Sequence, residues 1–197
     1  LLLDRQEVKK LLDKVKETHP ALIEELTPNL LSIGAIQKVL KRLLRERIPI
    51  RDLVSILEAL ADHATSTKNI DVLTEYVRHA LAPTITRQFL SPDGAIYAFV
   101  LDPILERHLL QQAEAGELHP GTLGLEPQQS ERFLKEAERI TRRLLSEGRP
   151  PVLLTSPVLR PVLYNFLAPS IPDLNVLSYN DLLPDTRVEV VDQLRLP

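Results

Sequence analysis

Apolar residues recur every three or four positions through the first half of the chain, and in short continuous runs through the second. The first pattern predicts helices throughout. Asp4 followed by Glu7 resembles a capping box, and Val8, Leu11, Leu12 and Val15 then repeat at helical spacing until Pro20 closes the helix. Ala21 to Leu26 reads as a short apolar turn broken by Pro28. Ser32 is placed to cap a helix running to about Arg47, which Pro49 stops. Asp52 is placed to cap another through about Ala64, and Ile70 to Leu81 gives one more. Short loops between helices of this length predict a compact bundle.

The second half alternates. Ala95 to Leu101 (AIYAFVL) is β-branched and aromatic and reads as a buried strand. Asp102 then caps a helix with Pro103 at its first position, where a missing N–H costs nothing. A loop from Gly116 to Pro127, with three glycines and two prolines, leads to a long helix from about Gln128 to Glu147 that ends at Gly148. Pro151 to Thr155 is a short strand, Ser156-Pro157 starts a further helix, Leu174 to Ser178 gives a third strand, and Val188 to Val191 a weaker fourth. The fold class expected is mainly α with a C-terminal α/β part: a helical bundle followed by a small layered unit of three to four short strands.

Charge changes where the pattern changes. Residues 1–92 carry 14 Lys/Arg and 12 Asp/Glu, a net of +2, while residues 93–197 carry 10 and 15, a net of −5; together they give the −3 of the chain. The boundary falls at the turn sequence Ser91-Pro92-Asp93-Gly94, so the expected domains are 1–92, all helical, and 93–197, α/β. The chain lacks cysteine and methionine, which excludes disulfides and thiolate metal sites. Without an initiating methionine it is expected to begin inside a longer reading frame, with Leu1-Leu2-Leu3 as a cut element. No apolar run approaches the ~20 residues of a membrane span, so this piece is expected to be soluble and cytoplasmic.

Candidate chemistry is sparse. His19, His63, His79, His108 and His119 are scattered, with no two at metal-ligand spacing on one helix face. Neither a nucleophile elbow nor a phosphate-binding glycine motif occurs, and Gly121 to Gly124 follows no strand. Nothing argues for an enzyme, a cofactor or a metal. One feature stands out: Lys38, Lys41, Arg42 and Arg45 fall at i, i+3, i+4 and i+7, with Ile36, Val39, Leu40, Leu43 and Leu44 supplying the apolar side and Arg47 and Arg51 extending the basic region into the following turn. This is a solvated amphipathic helix, a surface for an acidic protein partner, or a contact with phosphates. A helix-turn-helix is disfavoured because the second helix would read DLVSILEALAD, acidic and apolar, and would repel a duplex.

At these residues a family resemblance appears. The segments DRQEVKKLLDKVK (4–16), QKVLKRLLRERIPIRDLVSILEALAD (37–62), LTEYVRHALA (73–82), LDPILER (101–107), PPVLLT (150–155), LRPVL (159–163) and VLSYN (176–180) strongly resemble, in the same order, the FlhA-type export-gate family of type III secretion, with VLSYN closer to its flagellar than to its virulence branch. The resemblance implies a membrane-embedded N-terminal part in the bacterial inner membrane and four cytosolic subdomains, of which this chain is similar to the last two. It further implies a homo-nonameric ring that receives export chaperone–substrate complexes and contacts the export ATPase and its stalk and an FlhB-type switch protein. The family's main chaperone pocket lies largely in the preceding subdomains, so no chaperone-contact residue is carried over. The opposite charges of the two halves suggest that Lys38, Lys41, Arg42, Arg45, Arg47 and Arg51 form an intersubunit or partner surface, with no nucleic acid involved. The rival readings are a generic interaction scaffold unrelated to secretion and, more distantly, a helix-turn-helix regulator.

Overall fold

The structure, a computed structural model, describes residues 3–119 and 121–197. Leu1 and Leu2 of the opening leucine run, and Pro120 of the 116–127 loop, lie outside the described residues. The chain divides into two compact units, Leu1–Ile85 and Thr86–Pro197. This division falls within a helix, seven residues ahead of the turn at which charge and pattern change.

The first unit is helical. Helix α1 (Arg5–Thr18) starts as its capping residues dictate, the Asp4 carboxylate accepting from the Glu7 amide at 2.8 Å. Pro20 does not simply end it: Pro20 is the first residue of α2 (Pro20–Glu25), because a proline at N1 sacrifices only an N–H that has no intrahelical partner. The segment expected as a turn is therefore helical, and it passes into a kinked turn, Leu26–Leu30, that contains a cis Thr27-Pro28 bond. Helices α3 (Ile33–Arg45), α4 (Leu53–His63) and α5 (Ile70–Ala80) follow, capped by Ser32, Asp52 and Asn69. Val8, Leu26, Ile36, Leu43, Ile56 and Leu73, all fully buried, fill the space between them. Helix α4 is buried at six of its eleven positions, so it is a core helix, and its exposed positions include the acidic Glu58 and Asp62.

A further helix, α6 (Ala82–Phe89), carries the chain across the division; it has no polar cap and follows α5 after a single residue. The second unit is a four-stranded parallel sheet of β1 (Ala95–Leu101), β2 (Val152–Thr155), β3 (Asn175–Ser178) and β4 (Arg187–Leu194), in the order β3-β2-β1-β4. Parallel pairing requires crossovers. Helices α7 (Pro103–Glu114) and α8 (Pro127–Ser146) connect β1 to β2, and α9 (Arg160–Leu167) connects β2 to β3. Phe99, Leu101, Leu153 and Val176 of the strands pack with Phe133, Ile140 and Leu163 of the helices in one buried cluster.

Two readings of this unit need correction. The helix expected to start at Ser156-Pro157 begins instead at Arg160, after a turn at 157–159, with Pro161 in its first turn, where a missing N–H is tolerated. The fourth strand is twice the expected length, and it pairs with β1 over residues 95–101. Its pattern is blurred because β4 is an edge strand with much of its length exposed.

Candidate functional site

The basic residues singled out from the sequence are dispersed by the fold into an outward row and a set of internal contacts. Ile36, Val39, Leu40 and Leu43 bury one side of α3. The geometry of 3.6 residues per turn then places Lys38, Lys41 and Arg45 on the opposite side, and all three are exposed. Lys38 and Lys41 make no ion pair or side-chain hydrogen bond among the described residues. Arg42 lies to one flank, half-buried, where its guanidinium pairs with Asp71 in the first turn of α5. Its charge fastens α3 to α5 and is not part of the outward row.

The end of α3 explains the next two charges. The Ile48 amide reaches back to the Leu43 carbonyl at 2.8 Å and the Arg47 amide to that of Leu44 at 3.0 Å, the two closures of a C-terminal Schellman cap. The residue between must be left-handed, and it is Arg47, at φ 63°. Helix α8 ends with the same pattern, Arg149 to Leu144 and Gly148 to Leu145, and there the left-handed residue is Gly148 at φ 73°. Glu46, the one acid of the basic run, turns inward and pairs with the buried Arg78 of α5. Arg51 is exposed one residue before the Asp52 cap of α4. His63 of α4 stacks on Tyr76 of α5 with ring centroids 3.7 Å apart and planes 5° from parallel.

The sequence reading missed a groove of about 540 Å³ in the same unit, between α1, the Leu26–Leu30 turn and the start of α3. Arg5, Lys9, Asp13 and Lys16 line one side of it. Their spacing of four, four and three along α1 was a legible signal, masked by lysines at 10 and 14 that spread charge around the helix.

In the second unit, charged side chains gather on β4. Arg143 of α8 donates to the Asp192 carboxylate and to the Val191 carbonyl, both at 3.1 Å, and Arg139 stands 3.5 Å from the same carboxylate. Glu136 and Asp192 hold the Arg139 guanidinium more firmly protonated than usual. The β1–β4 register shifts beside Ala98, leaving Val191 as the extra residue of a bulge, and Arg143 takes up its carbonyl. At the start of β1, Asp93 accepts from the Tyr97 hydroxyl and the Ala95 amide and faces Arg187; chiefly the Tyr97 bond, with the amide and nearby guanidinium groups of Arg187 and Arg149, holds its carboxyl below the usual range. The Arg149 guanidinium sits 3.5 Å above the Tyr97 ring. Among the described residues no group of three His, Asp or Glu side chains is placed to hold a metal ion, and no helix is long and apolar enough to cross a membrane.

A helical unit followed by a four-stranded parallel α/β unit is the fold of the C-terminal domains of type III secretion export-apparatus proteins. The chain belongs to the FHIPEP family, whose model matches residues 1–187. It is 40% identical over 190 residues to the flagellar biosynthesis protein FlhA of Bacillus subtilis, covering 96% of this chain and 28% of that protein's length. Among solved structures, the CdsV and CdsO complex of Chlamydia pneumoniae matches with a TM-score of 0.86 and 31% identity, over 98% of this chain and 56% of that one. The nonameric SctV-C of EPEC matches with a TM-score of 0.81, over 97% of this chain and 57% of that one; at 24% identity that likeness is one of fold.

Proposed function

We propose that this chain is the C-terminal cytosolic part of a flagellar type III protein-export gate, and that it works by assembly and docking rather than by catalysis. The 40% identity to the flagellar protein FlhA over 96% of the chain carries the reading. In it, copies join into a ring whose contacts use the outward row Lys38, Lys41 and Arg45, with Arg47 and Arg51 at its end, against the acidic α/β part of a neighbour. A ring contact is heterologous, with different patches meeting, so units of opposite charge suit it. The ring receives export chaperone–substrate complexes, the ATPase and its stalk, and an FlhB-type switch protein, while the preceding part of the full protein sits in the inner membrane. The solved CdsV and CdsO complex supports a protein partner for this fold.

Fastening of Arg42 to Asp71 makes Lys38 and Lys41 the better test of the row. In the complete cytosolic part, Lys38→Glu with Lys41→Glu is expected to lower ring occupancy in electron micrographs and reduce motility in a complemented deletion strain, with an unchanged circular dichroism melt. Each exposed pair contributes only ~0–1 kcal/mol, so the effect depends on its repetition around the ring. Wild-type rings and motility in the double variant would defeat the assignment of the row to assembly.

A further inference from the structure

We infer that the groove beside α1 is a docking site for a short acidic segment of a partner protein, with apolar side chains at its middle and carboxylates at both ends. The inference does not depend on the outward row of α3, none of whose residues lines the groove.

The groove's charge is unbalanced. Lys9 pairs with Asp13 at 2.5 Å, which neutralises the only carboxylate among its lining residues. Arg5 and Lys16 have no ion pair or side-chain hydrogen bond among the described residues, and both are exposed. The Arg5 guanidinium lies over Gly34, where even an added Cβ would come within 3.1 Å of a guanidinium nitrogen. Gly34 thus admits a cation against the first turn of α3, and no acidic side chain of the unit answers it. Between the two cations the lining turns apolar: Leu12 and Ile23 lie beneath, and the exposed Pro28 and half-buried Ile33 form the far lip.

The dimensions set the occupant. Arg5 and Lys16 are eleven residues apart on one helix, about 16 Å along its axis. An extended peptide covers that length in about five residues. A volume of about 540 Å³ is in the range of pockets that bury a ligand, ~300–1,000 Å³. Carboxylates near Arg5 and Lys16, with leucine-sized side chains over Pro28 and Ile33, meet both the charge and the apolar lining.

The test uses the 197-residue chain labelled with ¹⁵N and two blocked hexapeptides, Glu-Asp-Leu-Leu-Asp-Glu and its cationic counterpart Lys-Lys-Leu-Leu-Lys-Lys. The acidic peptide is expected to give saturable shifts at the Ile33 and Gly34 amides that weaken as salt is added, and the cationic peptide none. Arg5→Glu and Lys16→Glu should each reduce the affinity by about threefold to tenfold, in line with partly exposed charge pairs, while Arg132→Glu on α8 leaves it unchanged. Both reversals lie on exposed positions of α1, and circular dichroism verifies that the variants remain folded. Equal binding of the two peptides, shifts that map away from the groove, no binding of either, or a dimer by sedimentation that closes the groove would each overturn the inference.

Discussion

The Glu46 carboxylate lies 3.6 Å from the Arg78 guanidinium, with only 7% and 1% of the two side chains exposed. Removing two charges from water costs several kcal/mol, which their attraction offsets only while both are present. Glu46→Ala or Arg78→Ala alone is expected to destabilise the chain by about 3–5 kcal/mol, because each removes a charge that offsets the burial of the other. A double replacement by leucine should cost far less than the sum. Urea unfolding of the singles and the double, combined as a cycle, checks this; additive losses would show that the two groups do not act as a pair.

Arg47 occupies a conformation that favours glycine, and α8 uses Gly148 at the equivalent place. Arg47→Gly is therefore expected to raise stability by about 1 kcal/mol, the order of the left-handed penalty of a side chain. The same substitution removes a charge from the end of the outward row. A variant that melts later but assembles less well would separate the backbone role of Arg47 from its surface role. No gain in thermal or urea stability would count against the strain.

Asp93 is expected to shape the acid limb of the stability curve. Its folded pKa is depressed, mainly by the Tyr97 hydrogen bond, so its contribution is fully present above the ordinary carboxylate value of ~3.9 and is lost as pH falls through the lower folded value. Wild type and Asp93→Asn should thus differ in stability near neutral pH and converge as the pH falls below the depressed folded value. Carboxyl-carbon NMR titration of Asp93 gives the direct check; a midpoint at or above the ordinary value would contradict it.

The bulge in β4 depends on Arg143. Arg143→Ala is expected to speed amide hydrogen exchange in residues 190–194 without matching changes in β2 or β3, since it frees the Val191 carbonyl and takes from Asp192 the nearer of its two guanidinium partners. Arg143→Lys should rescue little, because one ammonium cannot reproduce the fork of the guanidinium.

Deleting the ring of Phe133 tests the α/β core. It is fully buried and meets Phe166 edge-on at 5.8 Å between centroids. Phe133→Ala is expected to cost about 3–5 kcal/mol, measured by urea unfolding, through lost burial and the cavity left behind.

The elements legible in the sequence were those with a local chemical signature. Ser32, Asp52 and the Asp4 cap announced their helices, Gly148 announced the end of α8, and Ala95–Leu101 matched the strand residue for residue because both its faces are covered. Elements without such a signature were lost. Helix α6 has no polar cap, and α2 was hidden because a proline at N1 looks the same in sequence as a proline that ends a helix. The basic stripe was visible as a spacing. That Arg42 leaves it for Asp71, 29 residues on, and that Glu46 turns inward to Arg78, are consequences of how α5 packs, which periodicity along α3 does not encode. The groove was harder still, for its walls come from α1 and from a turn and helix start more than ten residues later.

The strand order β3-β2-β1-β4 has a consequence for how the second unit is made. Its central strand, β1, is synthesised first, and one whole side of it is satisfied only by β4, whose residues arrive about ninety positions later. Until then β1 offers a bare ladder of seven apolar residues to any strand that approaches it. Closing so long a loop delays the productive pairing, as non-local contacts do in general. A nascent or truncated chain that ends before Arg187 is thus an exposed β template, which the arrival of β4 removes.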